Sequence, residues 1–249
     1  MDIVSETAKY GVTERRFDLK VDDEVVPGVM WLPEGATGAR PKVLFGHGGS
    51  QHKKVPHFRS FAKRLAAHGW ASAAIDAPQH GDRLSAEERA LPPADLLKVM
   101  QKRVLGATGE ERKARAAMAV KEWKATIDAL EALDDVGVGP TGYWGVSMGT
   151  MFGVPLVAAE PRIQAAVLGL GGLGFGGKGY EAAANSITIP LQFMLQSGDE
   201  LVPLESGIEL YNAFASEEKM LLVNPGEHAA IPPFMFEIND AFFQRHLSS

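Results

Sequence analysis

Apolar residues along this chain fall into short runs separated by stretches in which they recur at helical spacing. Phe17 to Val21 alternates apolar and polar positions, and Val25 to Leu32 is rich in β-formers. Glycine and proline punctuate both stretches, which predicts an N-terminal antiparallel pair. Pro33 to Pro41 reads as a turn-rich connection, and Val43-Leu44-Phe45 as a short buried strand. Phe58, Phe61, Leu65 and Ala66 then recur with helical period, and Gly69 stands where a helix C-cap is expected. Ala71 to Ile75 is the next strand and ends at Asp76. Further strands are predicted at Ala165 to Leu170, Leu191 to Leu195 and Met220 to Val223. Ile208, Tyr211 and Phe214 mark one intervening helix, and Phe234, Ile238, Phe242 and Leu247 mark a terminal one. Strands alternating with helices predict an α/β protein with a doubly wound, mostly parallel sheet of about eight strands and helices on both faces. Residues 1–249 read as one domain.

Between Asp82 and Asp135 the pattern changes. Ser85 followed by Glu88 forms a capping-box signature. Glu, Lys, Arg and Ala dominate through Val120, and Trp123, Ile127, Leu130 and Leu133 form a helical stripe. Two or three helices are expected here. Residues 84–116 exceed an ordinary crossover, so this segment is either an inserted lid or a solvated helical flank.

The chemistry is concentrated at Gly145-Val146-Ser147-Met148-Gly149, a G-x-S-x-G motif directly after the apolar run Thr141-Gly142-Tyr143-Trp144. A strand that turns sharply into a helix holds such a serine in a strained backbone conformation with its hydroxyl exposed. A hydroxyl is a weak nucleophile and needs a base, which in turn needs an orienting acid. In this architecture the chain order is nucleophile, acid, histidine. His228, just after Met220 to Val223, suits the base, whereas His246 lies near the end of the last helix. Asp199, in Ser197-Gly198-Asp199-Glu200, suits the acid, with the adjacent Glu200 left open. Oxyanion donors are expected from the backbone N–H of Met148 and of Gly49, with Ser50 as the alternative. The loop Gly46-His47-Gly48-Gly49-Ser50 has small residues that let its backbone approach a substrate.

Four ordered motifs carry a family resemblance: His47-Gly48-Gly49, Gly145 to Gly149, Gly198-Asp199 with Val202-Pro203, and Gly226-Glu227-His228. From about Val25 onward the chain resembles the serine α/β-hydrolases, among them the esterase and dienelactone-hydrolase-like members. The resemblance implies hydrolysis of carboxylic esters, with lactones, thioesters, amides or acyl transfer open to the same triad. Asp76 to Arg83 resembles the family's loop that borders the site, making His47, Ser50, His80 and Arg83 candidate pocket residues. Two departures stand out. No cysteine is present to act as the nucleophile of a dienelactone hydrolase proper, and Pro155 falls inside the helix expected after Ser147.

Composition narrows the alternatives. The 249-residue chain carries a net charge of -6 and no cysteine, which excludes disulfides and thiolate metal sites and disfavours nucleic acid as a partner. Met1 to Tyr10 is polar with no apolar h-region, and no run reaches transmembrane length, so a cytoplasmic protein with no membrane partner is expected. Gly172 to Gly177 matches G-x-G-x-x-G with Asp199 downstream, the pattern of a nicotinamide-dependent oxidoreductase. Only Tyr180 to Ser186 remains for the helix that such a motif opens, so the stretch reads better as a loop over the active site. A catalytically dead binding protein on the same fold is a further alternative. His47, His52 and His57 do not share a helical face, and no metal or cofactor is expected. His52, Lys53, Lys54, His57 and Arg59 form a basic stretch, read either as a solvated turn or as an attractor for a substrate anion. The expected partner is a small-molecule ester of short acyl chain, and oligomeric state is not readable.

Overall fold

The structure, a computed structural model, describes residues 1–176 and 179–248. It opens with an antiparallel meander of β1 (Asp2–Lys9), β2 (Val12–Val21) and β3 (Glu24–Pro33). The alternation along β2 buries Phe17, Leu19 and Val21 on one face. Phe17 pairs with Gly28 of β3, and its ring fills the space where a Cβ on Gly28 would lie 2.0 Å from the ring tip. β1 goes beyond the sequence expectation. Every residue in it is exposed, so no apolar alternation announces it. Backbone pairing with β2 and a tight turn at Tyr10 and Gly11, both at positive φ, make the strand.

The remaining strands are parallel. β4 (Lys42–Gly46), β5 (Ala71–Ile75), β6 (Thr141–Val146) and β8 (Leu191–Gln196) are buried at every residue. β7 (Ile163–Gly169) exposes only Gln164. Parallel strands covered on both faces must be apolar throughout, which is why these runs lack alternation. β9 (Lys219–Asn224) is an edge strand and exposes Met220 and Val223. Among the described residues nine strands form one sheet in the order β1-β2-β3-β5-β4-β6-β7-β8-β9. β3 meets β5 antiparallel, and every pair from β5 to β9 is parallel.

The helices are α1 (Pro56–Ala67), α2 (Ala86–Arg89), α3 (Pro93–Leu105), α4 (Gly109–Glu131), α5 (Met148–Ala159), α6 (Tyr180–Asn185), α7 (Leu204–Ala213) and α8 (Met235–Leu247). Gly69 follows α1 at φ 84°, the left-handed turn anticipated there. Ser85 and Glu88 close the expected capping box on α2, and Thr108 and Glu111 close a second one on α4. α5 runs on through Pro155. α4 to α7 contribute Trp123, Ile127, Val154, Tyr180 and Leu210 to the core on one face of the sheet. α1 and α8 contribute Phe58, Phe61, Leu65, Phe243 and Leu247 to the core on the other. The second core is aromatic. Phe45 lies 5.0 Å from Phe58 and 5.5 Å from Phe61, and Trp144 meets Phe58 edge-on at 5.8 Å between ring centroids. Each such buried ring contributes about 1.5–3 kcal/mol by leaving water.

Glu14 ties this layer together. Its carboxylate accepts hydrogen bonds from Trp31 Nε1 at 2.9 Å and Arg59 at 2.8 Å, and it pairs with Lys54 at 2.6 Å. Burial alone would raise its pKa, but the three donors outweigh it and hold the group at about 2 against an ordinary 4.5. A depressed folded-state pKa stabilises the fold above the unfolded value, and that contribution is lost as pH falls through the folded one. Glu14→Gln should therefore lower Tm at neutral pH, with the difference from wild type shrinking between pH 4.5 and about 2. Thermal melts of both proteins across that range test it, and a gap independent of pH would show that the carboxylate's charge is not what matters.

Candidate active site

Ser147 follows β6 and caps α5 with φ 58° and ψ -118°, a conformation costing a non-glycine residue of order 1–3 kcal/mol. Packing on three sides enforces it. The Ser147 N–H donates to Gly169 O at 2.9 Å. Thr150 Oγ1 lies 2.9 Å from Gly145 O and 2.5 Å from Gly169 O, and accepts from Gly169 N–H at 2.8 Å. Tyr143 donates its hydroxyl to Gly149 O at 2.8 Å. The first turn of α5 lies directly on β4, so that a Cβ on Gly149 would come within 2.2 Å of Gly46 O. The two glycines of the motif are thus required by backbone-to-backbone contact.

The three residues expected to act together meet at the C-terminal rim of the sheet. Ser147 Oγ lies 2.8 Å from His228 Nε2, and His228 Nδ1 lies 2.7 Å from Asp199 Oδ2. The carboxylate can only accept, so Nδ1–H donates to Asp199 and Nε2 keeps its lone pair for the serine O–H. Asp199 is nearly buried, with 3% of its side chain exposed. Its other oxygen accepts from the N–H groups of Leu201 at 2.9 Å and Val202 at 2.8 Å, which fixes its plane. Asp199 and Glu200 meet different groups of His228. Glu200 accepts the backbone N–H of His228 at 2.8 Å, and that bond lowers its pKa. The acid and histidine loops are also joined through Gly198 N–H to Gly226 O at 3.0 Å and Ser197 N–H to Asn224 O at 2.8 Å.

Met148 opens α5, so its N–H belongs to the first turn, which has no intrahelical acceptor. Gly49 packs beside it, with room for a Cβ only 3.9 Å from Met148 Cβ. Gly48 N–H already donates to Gln51 Oε1 at 3.1 Å. The Gly49 carbonyl faces His80 Nε2 at 2.9 Å. Ser50 is exposed and lines the cavity beside Gly49.

The other predicted pocket residues lie behind the site. Buried His47 directs Nδ1–H to Gly48 O at 2.8 Å and accepts Ala77 N–H on Nε2 at 3.0 Å. Burial lowers its pKa, and the ring is a neutral brace between two loops. His80 is wedged between Pro78 O and Gly49 O, and burial lowers its pKa too. Arg83 makes a two-pronged pair with Glu122 at 2.9 and 2.8 Å and donates to Asp76 O at 3.2 Å. None of the three lines the cavity, which corrects that part of the expectation. The aligned loop motif marked residues that hold the loops, because polar groups forced inside by tight turns must find partners there.

The basic stretch is likewise structural. Lys53 is buried and bridges Asp76 at 2.5 Å and Asp82 at 2.7 Å. Lys54 and Arg59 both pair with Glu14. None of these cations lines the cavity, so no anion attractor stands there. His52 is exposed, His47 is buried and His57 faces the cavity. Among the described residues no group of three or more His, Cys, Asp or Glu could hold a metal ion. In the glycine-rich stretch, Leu173–Phe175 form a short 3₁₀ turn and α6 has six residues. Gly177 of that motif lies outside the described residues. Asp199, which a dinucleotide site would need, is engaged with His228.

The cavity in front of Ser147 measures about 320 Å³. Val146, Met151, Leu170, Val202, Ile231 and Phe236 make its apolar walls, while Gln101 and Val104 of α3 and Phe175 border it from above. Periodicity could not find these last contacts, since they depend on how α3 and the 171–176 loop fold over the rim. No helix of the described residues is long and apolar enough to cross a membrane.

No protein-family model matches the chain, and no curated protein matches it. Among solved structures it is similar to a cold-adapted esterase from an Arctic intertidal metagenomic library, seen in a polyethylene-glycol-bound complex. The identity is 36% and the TM-score 0.84, over 99% of this chain and 100% of that one. The native structure of a cold-adapted esterase from such a library gives 34% and 0.77, over 98% and 97%. A dienelactone hydrolase from Anabaena variabilis shares the fold at 21% identity and TM-score 0.67, over 96% of this chain and 100% of that one. The chain therefore belongs to the α/β-hydrolase esterases, enzymes of the carboxylesterase type.

The close approach at the elbow gives a test. Gly149→Ala should cost about 1–3 kcal/mol through overpacking against β4. The expected result is a Tm several degrees below wild type in differential scanning calorimetry. An unchanged Tm would mean that the helix can lift from the strand without penalty.

Proposed function

We propose that this protein is a serine carboxylesterase acting on small, short-acyl esters through Ser147, His228 and Asp199. The hydrogen-bonded chain from Ser147 Oγ through His228 to Asp199, at the edge of an apolar cavity, carries this reading. His228 Nε2 takes the Ser147 proton as Oγ attacks the acyl carbon, and the carbonyl oxygen becomes an oxyanion. The N–H groups of Met148 and Gly49 stabilise that charge; Gly49 is preferred to Ser50 because it packs beside Met148. The imidazolium, stabilised by Asp199, returns the proton to the departing alkoxide, leaving an acyl-serine. Water repeats the sequence, giving the carboxylic acid and free Ser147.

Lactones, thioesters and amides offer the same carbonyl to the same nucleophile. The cavity volume of about 320 Å³ favours a small substrate. We further read residues 1–249 as one hydrolase domain and residues 84–116 as a flank that walls the cavity, since Gln101 and Val104 line it.

Fluorophosphonate treatment followed by intact-mass analysis, run with p-nitrophenyl acetate turnover, is the direct test. One adduct mapping to Ser147 together with turnover is expected. Neither adduct nor turnover would move the protein to the dead-site binding reading. Ser147→Ala should abolish turnover and leave Tm unchanged. Asp199→Asn should lower kcat about 10⁴-fold by reversing the tautomer preference, as in other Ser-His-Asp triads. Glu200→Gln should cost far less, about tenfold or under, because a neutral amide oxygen still accepts the His228 N–H. Equal losses in the two acid-loop variants would argue against Asp199 as the orienting acid.

A further inference from the structure

The cavity wall contains an imidazole that the proposed chemistry leaves unused. His57, in the first turn of α1, lines the same cavity as Ser147 and His228. Three aromatic rings hold it. Its imidazole meets Phe58 edge-on at 4.8 Å and lies 6.0 Å from Trp144 and 6.1 Å from Phe236 between centroids. Among the described residues neither ring nitrogen has a hydrogen-bond partner. His47, His80 and His228, at the same end of the sheet, each have two. Next along the wall, Gln51 has its carbonyl oxygen taken by Gly48 N–H, which leaves its amide N–H groups without a protein acceptor.

The electrostatics narrow what could bind there. None of the residues lining the cavity is Asp, Glu, Lys or Arg. Burial holds the His57 pKa down to about 4, so the ring is uncharged at neutral pH. A neutral imidazole offers one N–H donor and one lone pair, which matches a hydroxyl group, itself donor and acceptor. A carboxylate or phosphate would meet no compensating cation, and an ammonium no carboxylate. A wholly apolar substituent would leave the imidazole without water and without a partner, at a cost.

We propose that His57 is a specificity-determining residue that recognises a hydroxyl on the substrate, so that the preferred substrates are uncharged esters bearing an alcohol or phenol group on the acyl or the alcohol part. This rests on the esterase reading above and names the substrate class of the same site. Specificity of this kind is strong because the analogue lacking the hydroxyl strands a buried polar group.

The test uses two matched pairs of esters that differ only by hydroxyl or methyl. On the acyl side these are methyl 3-(4-hydroxyphenyl)propanoate and methyl 3-(4-methylphenyl)propanoate. On the alcohol side they are 2-(4-hydroxyphenyl)ethyl acetate and 2-(4-methylphenyl)ethyl acetate. For wild type, kcat/KM should favour the hydroxyl member of at least one pair by roughly tenfold. In His57→Phe that ratio should fall below about twofold while the methyl member is still turned over, and His57→Gln should recover part of it. His57→Leu replaces the Phe variant should that one not fold. A ratio unchanged in the Phe or Leu variant, or no preference in either pair for wild type, overturns the proposal. Calorimetric binding of the same four esters to Ser147→Ala, with and without His57→Phe, separates recognition from turnover. A His57-dependent preference in binding without any wild-type turnover would uphold the recognition and defeat the esterase reading. Absence of that preference in binding as well would overturn the inference.

Discussion

The strained backbone at Ser147 is the constraint around which the rest of the molecule is arranged. A serine at φ 58° and ψ -118° persists only where its surroundings leave no alternative. Here Gly169 takes its N–H, Thr150 bridges the ends of β6 and β7, and Tyr143 reaches beneath the turn to the Gly149 carbonyl. The helix then descends so close to β4 that no Cβ fits at Gly149. The core on the α1 and α8 side and the core on the α4 to α7 side clamp the central strands between them. Strain at one residue is thereby opposed by burial across two whole layers.

Parallel strands deliver their C-terminal ends to one rim, and loops from β4, β6, β8 and β9 converge there. The loops are fastened to each other more than to the sheet. Gly198 and Ser197 bond to the histidine loop, Glu200 takes the His228 N–H, and His47 bonds across to Ala77. Lys53 and Asp76, both buried, pin the loop after β4 to the loop after β5 through side-chain and backbone bonds together. Removing one partner of such a buried pair leaves an uncompensated charge, which is why these contacts govern geometry even where their net contribution to stability is small. The result is a rim in which the imidazole, carboxylate and serine stand at hydrogen-bond distance.

The cavity in front of that rim continues the aromatic core. Trp144 and Phe236 stack at 5.9 Å, and both also meet the His57 ring. The wall of the site and the interior of the α1 face are thus one packed unit. Charges have been kept out of it: Lys54 and Arg59 turn away to Glu14, and Arg83 turns to Glu122. In an uncharged cavity of low polarity the few remaining dipoles act with little screening.

Much of this was legible in the chain. Continuous apolar runs located β4 to β8, because strands buried on both faces have nothing to alternate with. The glycine spacing around Ser147 marked the elbow, because only glycine tolerates those backbone contacts. The order of motifs marked Asp199 and His228, because successive parallel strands supply one rim in sequence order. β1 was not legible, since an edge strand exposed at every position is made by backbone pairing alone. Nor was the fate of the polar loop residues. His47, His80, Arg83, Lys53 and His57 look equivalent in a polar stretch of sequence, yet four of them brace loops and one faces the cavity. Local sequence determines which segments can be strands, helices and turns, because that depends on periodicity and backbone freedom. Which polar side chain finds a partner, and which is left facing the cavity, depends on segments tens of residues apart, and only the tertiary structure decides it.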